Sequence, residues 1–283
     1  MEDDKKKEKY LLILDAFRKM IYNIENSEES LNYFSDMVVY RASNLMSNVL
    51  DGLGIDFNTA MNLLMDKDIY RTEREELERD SLIAAFDNLI DFALALEYTM
   101  LQELPDTIEL KDIDKYEAIC QKYNERYAME ENGIVFHAGV VAAFWFSVSK
   151  EDYLTYNTQN DERVREWHQT LDGTTYKKAD FPVELIPPID WGCRCFLTTS
   201  TQNTGSTFAI LKNIGSIFAK FKNIENVKCE HEHEHKHKPN PIFKESLATK
   251  GKIFSSEHPY FQHDIPQHFQ EIATQLKKQV YVQ

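Results

Sequence analysis

Two short blocks hold the residues best placed to do chemistry. Residues 160–173 read N-D-E-R-V-R-E-W-H-Q-T-L-D-G and bring Asp161, Arg163 and Arg165 close to His168 and Asp172. Residues 187–195 read P-P-I-D-W-G-C-R-C, two prolines followed by a Trp-Gly turn and a Cys-Arg-Cys triplet. If Asp161 caps a helix over residues 161–171, Arg165 and His168 stand three apart and share a face. Asp172-Gly173 then ends the helix in a turn, with Gly173 supplying the positive φ. An arginine fork pairs bidentately with a carboxylate and so pins such a turn. The block therefore reads as an Asp–Arg–His lattice holding a compact loop. A catalytic site is disfavoured, because neither a nucleophile nor a glycine-rich phosphate cradle stands beside these residues.

In the second block, Pro187 and Pro188 fix an extended backbone. Trp191-Gly192 is a tight turn under a large ring, and Cys193 and Cys195 on a strand face one side, separated by Arg194. The leading reading of the two cysteines is a pair of buried thiols that pack. The alternative is zinc or another soft-ligand metal on His168, Cys193 and Cys195, with Asp172, His137 or Cys120 as a fourth ligand. C-x-C departs from the usual C-x₂₋₄-C spacing of structural zinc. A redox pair is the third reading. A separate run, C-E-H-E-H-E-H-K-H-K-P-N-P over residues 229–241, alternates His231, His233, His235 and His237. Extended, it presents all four imidazoles on one side for weak metal binding; as a solvated hinge, it changes charge between about pH 5 and 7.

The 283-residue chain is 42% apolar and 12% aromatic, enough for a real core. Its net charge of −15 argues against a generic nucleic-acid binder. From residue 201 onward, 11 Lys and no Arg face 8 acidic residues, a net of +3 that leaves −18 on residues 1–200. Any DNA contact thus belongs to the tail. The N-terminal M-E-D-D-K-K-K-E-K has no apolar run after it, so no signal peptide is expected. Four cysteines without one suggest a reducing compartment. The apolar stretch 134–148 carries His137 and Gly139 and is shorter than the roughly 20 residues that span a bilayer, so it reads as a buried element.

The elements that must position these blocks are mostly helical. Tyr10, Ile13, Leu14, Phe17, Met20 and Ile21 form one stripe; Leu31, Phe34, Val38, Leu45 and Val49 form a second, begun at an Asn26/Glu29 capping box and ended by Gly52 and Gly54. A shorter helix is expected after Asp56 and a long one over 72–104, stopped by Pro105. Ile113, Tyr116, Cys120, Tyr123 and Tyr127 continue the pattern. Such stripes suit a bundle packing on itself, with self-association as the alternative. Residues 144–148, 153–157 and 195–199 read as strands. An amphipathic helix over 208–221 and a tail with a short C-terminal amphipathic stretch, loosely ordered or ordered only in an assembly, complete the chain. The expected architecture is α+β: a helical region over 1–105, an α+β module over 106–200, and an extended, partly helical tail over 201–283.

With those residues in view, the chain resembles the phage Mu F-like head morphogenesis family, minor head proteins of tailed phages. The family pattern runs from a strand through D-x-R-V-R-x-x-H-x-x-L-D-G to P-P, an aromatic turn and C-R-C. Residues 153–156 fit the strand. Asp161, Arg163, Val164, Arg165, His168, Leu171, Asp172 and Gly173 fit the first block; Pro187, Pro188, Gly192, Cys193, Arg194 and Cys195 fit the second. The fit covers about residues 134–200. The upstream Arg-Thr-Glu-like helix motif of many members has no counterpart in residues 133–143. The resemblance implies a non-enzymatic minor capsid component of the virion. Its members associate with the portal or the inner capsid, are made in the host cytoplasm, and support head assembly and DNA packaging or delivery. The competing expectations are a metal-binding enzyme or toxin module built on His168, Cys193 and Cys195, and a DNA-binding adaptor acting through the tail.

Overall fold

A computed structural model describes residues 2–65, 72–199 and 238–282. The expected helix over 208–221 and the histidine run from 231 to 237 lie outside the described residues.

Helix α1 (Glu2–Tyr22) buries Ile13, Leu14, Phe17, Met20 and Ile21, the stripe read from the sequence. Helix α2 (Ser27–Leu53) starts where the Asn26 side chain accepts from the Glu29 N–H at 3.4 Å. It stops at Gly54, whose φ of 70° closes the last turn. Gly52 does not end this helix. It lies inside it, where α2 crosses α6 (Ala128–Ser147). A Cβ on the facing Gly139 would sit 2.7 Å from the Val49 carbonyl oxygen, so the two glycines let the backbones meet. Asp56 caps α3 (Phe57–Met65) through the Asn58 and Thr59 N–H groups. Thr72 and Glu75 form a full capping box at the start of α4 (Glu73–Gln102).

Helix α5 (Ile113–Gln121) runs through a π-helical turn (Lys122–Tyr127) into α6. Residues 144–147, expected as a strand, are the last turn of α6. The period is lost because α6 is covered nearly all round: Phe144 and Phe146 are buried along with Val135, Ala138 and Ala142. A helix buried on every side shows no 3.6-residue alternation, and packing overrides the strand preference of aromatics.

The sheet is small and antiparallel, ordered β2-β1-β3. Strand β1 (Tyr153–Asn157) is central and buries Leu154 and Tyr156 on one face. It pairs with β2 (Thr175–Lys177), which the sequence reading missed, and with β3 (Phe196–Thr199), placing Tyr156 opposite Leu197. Three residues carry too little alternation to announce a strand.

The C-terminal segment is not loosely ordered over residues 238–282. Ile242, Phe243, Leu247, Ile253 and Phe254 join the same core as the helices. The buried Asn88 side chain on α4 binds this segment three times, accepting from the Ile253 and Phe254 N–H groups and donating to the Phe254 carbonyl, each at 2.9 Å. The last helix, α8 (Gln267–Val282), lies along α4 with Lys277 on Asp91 and Tyr281 on Asp87. The aromatics before α8 are spread too thinly along the chain to show periodicity, so composition alone read that stretch as loose. No helix among the described residues is long and apolar enough to cross a membrane.

Candidate functional site

The two blocks fold against each other at one end of β1. The helix expected over 161–171 is reduced to one turn, α7 (Glu166–Gln169). Asp161 does not cap it. Its Oδ1 accepts from the Arg163 N–H at 3.1 Å in a local turn that precedes α7. Asp161 also receives the Arg194 guanidinium bidentately, with Nη1 at 2.7 Å and Nη2 at 2.6 Å. The hydrogen bond from Arg194 is the main cause holding the Asp161 carboxyl below its ordinary value. This ion pair ties the start of the first block to the C-x-C triplet.

Arg165 stands at the N-cap of α7 and reaches across to the second block. It donates to the Trp191 carbonyl at 2.8 Å and lies 3.5 Å from Asp190. Among the described residues, Asp172 pairs with no arginine. Its carboxylate accepts from the Thr158 N–H at 2.6 Å and the Thr158 hydroxyl at 2.9 Å, fastening the turn to the end of β1. Gly173 has the expected positive φ of 77°, and its N–H donates to the Tyr156 carbonyl at 2.8 Å. The Pro187–Pro188 peptide is cis, and both prolines are buried.

The Trp191 ring turns toward the C-terminal segment. It packs edge-on to Phe243 at 5.2 Å and stacks with Phe254 at 5.9 Å. Phe254 in turn stacks on Phe92 of α4 at 4.1 Å. Trp191 thus links the second block to the bundle.

His168, Cys193 and Cys195 do come together, and all three are buried. Nδ1 of His168 is 3.3 Å from Cys195 Sγ and 3.9 Å from Cys193 Sγ. The other ring nitrogen, Nε2, is buried and has no hydrogen-bond partner among the described residues. Of the suggested fourth ligands, His137 is spent on the Cys195 carbonyl, to which its Nε2 donates at 2.8 Å. Asp172 is held by Thr158, and Cys120 lies on α5, close to Asn124 and Glu97. Tyr156, which the sequence reading used only as a strand residue, presents a buried hydroxyl to the two sulfurs. A small cleft bordered by Arg163, Arg165, Gly192 and Arg194 leads to the cluster.

Burial opposes ionisation of Cys193, but hydrogen bonds from Cys195 and His168 outweigh it and bring its thiol well below the ordinary value. The hydrogen bond to Cys193, and then burial, push Cys195 the other way. The pair releases one proton readily and the second with difficulty. Burial also lowers His137, which favours its neutral form.

A family model described as "Phage Mu protein F like protein" matches residues 102–198. Residues 102–198, about a third of the chain, are thus similar to the Mu F-like family. The match begins upstream of the stretch that carried the sequence resemblance and takes in α5, the π-helical turn and α6. A 71-residue stretch of the chain is 38% identical to an uncharacterized protein of Methanocaldococcus jannaschii, covering 25% of this chain and 11% of that protein. The chain thus matches about a tenth of that relative's length. No solved structure matches the chain. Within this stretch, Arg165, Arg194, Asp161 and Asp172 close loops onto β1, α7 and the C-x-C triplet, while Arg163 borders the cleft.

Proposed function

We propose that this chain is a minor structural protein of a tailed-phage head that docks on the portal or the inner capsid wall during assembly and DNA packaging or delivery. The match of residues 102–198 to the Mu F-like family carries this reading, because that family serves head morphogenesis and is structural. The geometry of the motif residues agrees with it. Arg194, Arg165 and Asp172 each spend their charge on pinning a loop, which leaves a scaffold in place of a reactive centre. The charge distribution adds direction. With −18 on residues 1–200, that part is repelled by packaged DNA and suits protein neighbours, while the +3 on the remainder suits DNA or the wall.

Co-expression with the portal protein of the same phage tests the docking step. A portal ring that carries this chain through size exclusion is the expected outcome. Elution of this chain alone, with neither portal nor capsid protein bound at low and moderate salt, contradicts the docking reading.

A further inference from the structure

We propose that His168, Cys193 and Cys195 hold one structural Zn²⁺ ion. This goes beyond the head-assembly reading and does not rest on it. The three ligand atoms lie within 4.8 Å of one another, with Nδ1 of His168 at 3.3 Å and 3.9 Å from the two sulfurs. Tetrahedral zinc with Zn–S of about 2.3 Å and Zn–N of about 2.0–2.1 Å has N···S edges of about 3.6 Å. The observed separations straddle that edge, so an ion fits between the ligands with shifts of a few tenths of an ångström.

Burial and chemistry point the same way. His168, Cys193 and Cys195 are 2%, 4% and 3% exposed, and both cysteines are free thiols. Two thiolates and an imidazole form a soft donor set that suits zinc. The Tyr156 hydroxyl, on a residue 1% exposed, has no partner of good hydrogen-bond geometry and lies against both sulfurs. An oxygen donor of β1 thus stands beside the two sulfurs. The cleft at Gly192, which His168, Cys193 and Cys195 themselves line, offers a path for the ion or for a solvent ligand.

The elements explain what the ion would do. The ligands come from α7 and from the loop that leads into β3. A four-residue helix is far too short to hold itself, and its lasting shape depends on what it packs against. Zinc would bolt α7 to that loop. The two sulfurs bind as thiolates, and any thiol protons displaced pass to solvent without a change of oxidation state.

The test uses the full chain with Cys229→Ser, His231→Gln, His233→Gln, His235→Gln and His237→Gln, so that the histidine run cannot supply the signal. Dialysis against Co²⁺ should load one equivalent, with tetrahedral d–d bands and thiolate-to-cobalt charge transfer, and Zn²⁺ should displace it and raise the melting temperature. His168→Ala should abolish the tetrahedral bands, and Cys195→Ser should weaken the charge transfer. Should those variants fail to fold, the parent chain alone decides. Binding of neither Co²⁺ nor Zn²⁺ to the parent, an octahedral cobalt spectrum, or a Cys193–Cys195 disulfide in protein purified without reductant overturns the proposal.

Discussion

Asp161 and Arg194 meet through two parallel hydrogen bonds across 33 residues of sequence. The pair joins the two motif blocks, and its side chains are 41% and 19% exposed, so solvent screens part of the attraction. A double-mutant cycle with Asp161→Ala and Arg194→Ala should give a coupling of about 1 kcal/mol in urea unfolding. Because the Asp161 carboxyl is held below its ordinary value, the coupling is present above about pH 4 and fades as pH falls through the lowered value. Zero coupling at neutral pH would show that the pair does not join the blocks. At this scale the sequence was informative. The sequence offered His168, Cys193 and Cys195 together as the alternative to two thiols that simply pack, and the structure brings the three side chains close; Gly173 foretold its turn. The partners were not foretold: Asp161 and Asp172 were both expected near arginines, and only contacts distant in sequence decide that Asp172 goes to Thr158.

At the scale of elements, the helices were legible where one face meets water. They were illegible where burial is complete, as in the last turn of α6. The same limit hid the buried polar links. Arg41 of α2 is fully buried and pairs with Glu131 of α6, and it also donates to Asn132 at 2.9 Å. Glu131 accepts from the Tyr260 hydroxyl at 3.1 Å, which brings the C-terminal segment into the link. Nearby, Glu97 of α4 accepts from Asn124 of the π-helical turn at 3.1 Å. These residues sit on otherwise ordinary helical stripes, and only the packed bundle shows that their faces point inward.

Burial raises the Glu97 carboxyl to about 7, against the opposing effects of Asn124 and Arg41. A carboxyl that binds its proton more tightly in the folded state favours folding below its unfolded value of 4.5, and the advantage is lost as pH rises through 7. The loss is at most about 1.4 kcal/mol per pH unit across that window. Glu97→Gln keeps an acceptor for Asn124 and removes the titration. It should melt close to the parent at pH 5 and above it at pH 8. A variant that gains nothing at pH 8 would show that Glu97 is not a source of the pH dependence.

The molecule as a whole is a helical bundle with a small three-stranded sheet at one end and a C-terminal segment laid back over it. Trp191 and Asn88 fasten that segment, one from the motif region and one from α4. The Mu F-like module is therefore continuous with the core of the chain, and the motif blocks keep their shape through contacts that reach the C-terminal residues. Under the proposed head-assembly role, this body is a building part of a phage head, with the net negative charge of residues 1–200 toward protein. The most direct measurement of that claim is quantitative mass spectrometry of gradient-purified procapsids from the phage that encodes this chain. The chain is expected in the particles, at a few copies against the major capsid protein. Its presence in the host lysate together with its absence from procapsids and mature heads would overturn the head-assembly role.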